Sequence, residues 1–105
     1  MNEDRAYISR LIDVYGNALS ARQKDVVDLY YNEDLSLAEI SENCGITRQG
    51  VRDAIRHGVE ALLSLERSLG FNAKSEKIAA IAAQIAESSD LAEAKRLAES
   101  ITGEL

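Results

Sequence analysis

Three arginines, Arg48, Arg52 and Arg56, stand four residues apart, with Thr47 just before the first and Gln49 and His57 beside the stripe. A guanidinium is a planar fork of donors that matches a phosphate or the O6/N7 edge of guanine, and a glutamine amide matches the N6/N7 edge of adenine. At i, i+4 and i+8 the three arginines share one face of a helix, so the spacing predicts a cationic stripe suited to nucleic acid. Thr47, Arg48, Gln49, Arg52 and Arg56 are therefore the candidate contact residues, with Arg22 and Lys24 as outlying phosphate contacts. The competing reading is a solvated face in which Arg52 and Arg56 pair with Asp53, Glu60 or acids elsewhere.

Catalysis has little to draw on. The only cysteine, Cys44, and the only histidine, His57, lie too far apart in sequence and in the wrong setting to suggest a nucleophile and its base. Cys44 falls in an apolar-patterned turn, where a small buried thiol is expected, and a lone cysteine cannot build a multi-thiolate metal site. Glycine-rich phosphate loops and paired histidines are missing, so the sequence predicts no enzyme, no metal, no cofactor and no small-molecule substrate.

The elements that must position the stripe are all helical. Proline is absent, and aromatic residues are only 5% of the chain, so glycines and capping residues supply the punctuation. Tyr7, Ile8, Leu11, Ile12 and Tyr15 have helical spacing over residues 4–16, with Gly16 and Asn17 as a stop. Ser20 with Gln23, and Ser36 with Glu39, each match a capping box that opens a helix. The helix from Ser36 is short because Gly45 ends it, and Thr47 caps a long one over 48–69. Leu37, Ile40, Ile46, Val51 and Ala54 fall where a helix-turn-helix buries its side chains, and Gly45 allows the left-handed corner between the two helices. The arginine stripe then begins at the N-terminus of the second helix, whose side chains reach base edges or phosphates in such motifs.

The long helix carries Val51, Ile55, Gly58, Leu62, Leu65 and Leu69 in alternating steps of four and three, a coiled-coil-like seam. Its first half can pack on the small domain, whereas its second half is expected to project and to need a partner. After Gly70 the chain turns Ala-rich, with helices expected at about 76–87 and 91–102, the second opened by an Asp90–Glu93 capping box. The resulting expectation is an all-α protein with two parts. Residues 1–70 form a helix-turn-helix domain, and residues 71–105 a helical extension that packs on the long helix or mediates dimerisation.

The formal charge is −6, from 18 acids against 12 lysines and arginines, unlike a generic nucleic-acid binder. Residues 1–35 hold seven acids and four bases, residues 68–105 six and four, and the middle third five and four. Beyond a screening length of ~8 Å the flanking acids interact weakly with the stripe, so local binding survives the global charge. Neither a secretory n-region nor a run of ~18 apolar residues is seen, which predicts a cytoplasmic protein without membrane insertion.

The stretch ALSARQKDVVDLYYNEDLSLAEISENCGITRQGVRDAI resembles region four of bacterial sigma factors, in which a similar Leu-Ser/Thr-x-Arg-Gln opening precedes the helix-turn-helix. More closely, LYYNEDLSLAEIS followed by ITRQGVRDAIRHGVEALLSLERSLG is similar to the YlxM family, small helical bacterial proteins often encoded beside components of the signal recognition particle. The similarity covers roughly residues 5–70 and is carried by Tyr30, Tyr31, Asp34, Ser36, Leu37, Glu39, Ile40, Arg48, Gln49, Val51 and Asp53. Gly50 stands where alanine is expected, and Arg52 where an aromatic is usual. The resemblance implies a sigma-region-four-like fold with a long helix after the motif, a homodimer, and a regulatory or accessory role near the signal recognition particle, through its RNA. The residues themselves leave structured RNA and duplex DNA both open. A second function class is a protein-docking adaptor whose negative charge suits a basic partner, such as the signal recognition particle GTPase.

Overall fold

The computed structural model describes residues 4–104, and all of its regular structure there is helical. Six α-helices follow in order: α1 (Arg5–Tyr15), α2 (Ala21–Tyr31), α3 (Leu37–Cys44), α4 (Arg48–Leu69), α5 (Phe71–Glu87) and α6 (Leu91–Glu104). A short 3-10 turn, Gly16–Ala18, links α1 to α2 at the expected stop. The chain divides into two compact units, one ending at Leu69 and the other starting at Gly70.

Local chemistry opens each helix of the first unit. Asp4 caps α1 by accepting the N–H of Ala6 at 2.9 Å. Both capping boxes predicted for this unit form. Ser20 Oγ accepts from Gln23 N at 3.2 Å and Gln23 Oε1 from Ser20 N at 3.3 Å, while Ser36 and Glu39 make the matching pair at 3.1 and 3.0 Å. Each satisfies two of the donors a helix N-terminus leaves orphaned.

The core draws on all four helices of this unit. Ile8, Leu11, Ile12 and Tyr15 come from α1, Val26, Val27 and Tyr31 from α2, Ile40 from α3, and Val51, Ile55, Val59 and Leu62 from α4. Removing each such side chain from water contributes about 1.5–3 kcal/mol. Helix α2 crosses α4 closely at Gly58, where an added Cβ would lie 2.8 Å from Val27 Cγ1. The missing side chain is what permits that approach.

Three expectations need correction. The seam of α4 does not await a partner after its midpoint: Leu62 is fully buried in the core, Leu65 packs against it, and Tyr15 Oη donates to Glu66 Oε1 at 2.6 Å. Helix α1 lies along α4 that far, so only Leu69 of the seam is left exposed. Helix α5 starts at Phe71, five residues before its expected start, because Gly70 turns the chain with φ of 65° and a new helix follows at once. The Asp90–Glu93 box is only half made. Asp90 Oδ1 accepts the N–H of Ala92 at 2.9 Å, but the Asp90 N–H turns back to Ser88 Oγ at 3.2 Å rather than forward to Glu93.

Within the second unit, α5 and α6 pack as a helical hairpin, tied by a Lys77–Glu104 ion pair at 3.9 Å. Their larger apolar residues, Ile78, Ile81, Ile85, Leu97 and Ile101, are half-buried, and Leu91 is 83% exposed.

Candidate nucleic-acid interface

Helix α3, the turn and α4 form the helix-turn-helix. Gly45 ends α3 with φ of 66° and ψ of 33°, a left-handed corner that costs a glycine little. Ser41 clamps this corner from within α3. Its carbonyl accepts the N–H groups of Gly45 and Ile46 at 3.0 and 3.2 Å, and its hydroxyl donates to the carbonyl of Ile46. Nothing in the spacing of charged or apolar residues marked Ser41; only the turn geometry identifies it.

Thr47 caps α4, its Oγ1 accepting the N–H of Gly50 at 3.0 Å. Arg48, Gln49, Arg52 and Arg56 follow on exposed positions, while Val51 and Ile55 point into the core. The stripe thus lies on the solvent side of the helix, as the spacing required. Arg48 to Arg56 spans eight residues, a rise of ~12 Å along the helix axis.

The arginines differ in their company. Arg56 Nη2 lies 3.6 Å from Asp53 Oδ1 and 3.5 Å from His57 Nε2. Gln49 Nε2 donates to the same Asp53 Oδ1 at 3.0 Å. Among the described residues Arg48 and Arg52 have no hydrogen-bond or ion-pair partner, so their guanidinium groups face solvent. The solvated-pair reading therefore describes Arg56 but not Arg52.

The two outlying cations separate. Arg22 Nη1 donates to the carbonyl of Cys44 at 3.3 Å, which places it at the corner of the motif. Lys24 Nζ donates to Asn17 Oδ1 at 2.6 Å and sits over the 3-10 turn. Two residues along a helix amount to ~160° of separation around it, so α2 presents the two cations on opposite faces. Cys44 is half-buried against the core, close to its expected environment.

A shallow groove of ≈ 470 Å³ runs beside the corner, lined by Arg22, Asp25, Asp28, Leu29, Asn43 and Cys44. No group of three or more His, Cys, Asp or Glu among the described residues is placed to hold a metal ion. Nor is any described helix long and apolar enough to cross a membrane.

A second cluster, missed by motif reading, explains the Tyr30, Tyr31 and Asp34 pattern. Arg5 of α1 donates to the carbonyl of Tyr30 and to Asp34 Oδ1 at 3.2 Å. Its guanidinium also lies 4.7 and 5.1 Å from the centres of the Tyr30 and Tyr31 rings. Asp34 adopts φ of 57°, which turns the chain toward α3. The clamp fastens α1 to the entry of the helix-turn-helix and is structural.

Comparison with known proteins agrees with this architecture. The family model described as "Putative helix-turn-helix protein, YlxM / p13 like" matches residues 2–101. A UPF0122 protein of Clostridium kluyveri is 42% identical over 76 residues, 72% of this chain and 68% of its own length. Those of Clostridium botulinum and Desulforamulus reducens are 45% and 43% identical, over 70% and 64% of this chain and 67% and 57% of their own lengths. With an all-α fold, a glycine-cornered helix-turn-helix and a family match over nearly its whole length, this chain belongs to the YlxM/p13-like helix-turn-helix family, UPF0122.

Proposed function

We propose that this protein is a non-enzymatic nucleic-acid-binding module with a regulatory or accessory role. The N-terminal face of α4 is its contact surface: Thr47, Arg48, Gln49, Arg52 and Arg56, with Arg22 at the corner and Lys24 as a more remote phosphate contact. One observation carries the reading. Arg48 and Arg52 stand exposed and without a partner among the described residues, on the first turns of the helix that follows a left-handed glycine corner. A surface guanidinium held by an internal acid has already met its anion; these two have not. The resemblance to proteins encoded beside signal recognition particle components makes that particle's RNA the first ligand to test. Homodimerisation and a cytoplasmic site of action belong to the same proposal.

The test is fluorescence anisotropy with labelled signal recognition particle RNA and a random DNA duplex, each over a salt series. Wild type is compared with Arg48→Ala/Arg52→Ala. Binding should fall in the double variant, and its log–log salt slope should flatten by about 0.7–0.9 for each phosphate that the variant no longer neutralises. No binding of either probe at low salt would refute the proposal.

A second reading has its own observation. The groove beside Arg22 carries Asp25 and Asp28 around Leu29, and the whole chain is acidic, so a basic protein could dock there. Docking on those acids would not use Arg48 or Arg52, so Arg48→Ala/Arg52→Ala should leave it unchanged while abolishing phosphate contact.

A further inference from the structure

Among the described residues Asp53 is the acid that pairs with a cation of the proposed contact face, and a single oxygen of it serves two neighbours there. Its Oδ1 accepts the Gln49 amide at 3.0 Å and lies 3.6 Å from the Arg56 guanidinium. Its side chain is 46% exposed and that of Arg56 63%, so the cluster sits on the surface that a ligand would touch. Pairs of this kind are common on helices and weak in themselves. Their consequence for binding is larger, because they sort the residues of the face into two kinds.

Resting on the proposed function, we infer that Asp53 is a positioning residue that makes Gln49 an adenine reader and weakens the phosphate contact of Arg56 by competing for its guanidinium. An unheld glutamine amide presents either end outward. The Asp53 carboxylate selects the flip, since only the NH2 end can donate to it. One N–H of Nε2 is spent on Asp53. The other, with Oε1, stays free to face the N7 and N6 of an adenine, the pairing that a glutamine makes in the major groove. Holding the amide in advance also removes rotamer freedom that binding would otherwise have to remove. Arg56 meanwhile has a carboxylate beside it, and a phosphate must compete for that guanidinium. Arg48 and Arg52 remain as the sequence-independent contacts.

The ligand this arrangement fits is duplex DNA with an A·T pair opposite Gln49. A glutamine on the solvent side of a long helix reaches the N7 and N6 edge of a paired adenine only in a groove that admits the helix. The major groove of B-DNA, ~12 Å wide, does so. The deep groove of A-form RNA does not.

The experiment selects bound sequences from a pool of duplex DNA with a randomised centre, using the full chain. Affinities are then measured on one selected duplex and on its A·T→G·C variant over a salt series, with a structured RNA hairpin as a parallel probe. Wild type should enrich adenine at one position and prefer the selected duplex about 10-fold. Gln49→Ala should lose that preference. Asp53→Ala should lose most of it and steepen the salt slope, by at most about 0.9, as Arg56 is released. Asp53→Asn keeps a carbonyl acceptor for Gln49 but no charge for Arg56. It should therefore keep the preference while still steepening the slope, a split that a merely structural role for Asp53 would not produce. Unchanged preference and slope in both Asp53 variants would overturn the inference. Binding of the RNA hairpin with every duplex left unbound would also overturn it and leave the proposed function standing. If none of the probes binds, both fall together.

Discussion

Single side chains in this protein divide between those that build the corner and those that face outward from it. Glu39 belongs to the first group. Hydrogen bonds from the Ser36 backbone N–H and hydroxyl hold its carboxyl below the ordinary value of 4.5. A carboxyl depressed on folding stabilises the folded state above its unfolded pKa, and that contribution is lost as pH falls through the folded value. Thermal melts of wild type and Glu39→Gln should therefore differ by a constant amount above about pH 5.5 and converge as pH drops through 4.5 and below. A gap that instead widened in acid would mean the capping box does not favour the ionised form. Arg22 straddles both groups, because its donation to the Cys44 carbonyl puts a cation at the C-terminus of α3. Arg22→Ala should lower stability by about 0.5 kcal/mol in urea unfolding. An unchanged midpoint would show that this hydrogen bond is not maintained in solution. Charge type alone grouped Arg22 with Lys24; their two-residue spacing puts them on opposite faces of α2, and the structure adds what each meets there, a carbonyl at the corner and Asn17 at the 3-10 turn.

Between elements, the closest constraint is the crossing of α2 and α4 at Gly58. The sequence places Gly58 on the apolar seam but says nothing of what it meets. The structure puts Val27 against it, with room for no Cβ. Gly58→Ala gains about 1 kcal/mol of helix propensity and incurs about 1–3 kcal/mol of overpacking, so a net loss near 1 kcal/mol is expected. In a Val27→Ala background the new methyl group has space, and the same substitution should become neutral or stabilising. Equal effects of Gly58→Ala in the two backgrounds, measured by denaturant unfolding, would refute the close crossing. The capping boxes at Ser20 and Ser36 were legible because they are local, made within four residues. The cover that α1 gives the α4 seam was not, since Tyr15 and Glu66 are brought together by packing alone.

At the scale of the whole molecule, every described residue of the buried core lies between Ile8 and Leu62, inside the unit that ends at Leu69. A fragment of residues 1–69 should accordingly keep a cooperative thermal transition by circular dichroism. Residues 70–105 should show only a broad, non-cooperative one, because no apolar side chain of α5 or α6 is fully buried. A sharp transition in the second fragment alone would contradict this. By itself the sequence determined the helical class, the caps, the glycine corner and the stripe of arginines on one face. Each of these follows from backbone periodicity or from hydrogen bonds within a few residues, which chain-local chemistry dictates. Only the tertiary structure decided that α1 covers the seam as far as Glu66, that Arg5 clamps Tyr30, Tyr31 and Asp34, and which acceptors Arg22 and Lys24 meet. These outcomes depend on which side chains meet across elements, and spacing along the chain does not encode that choice.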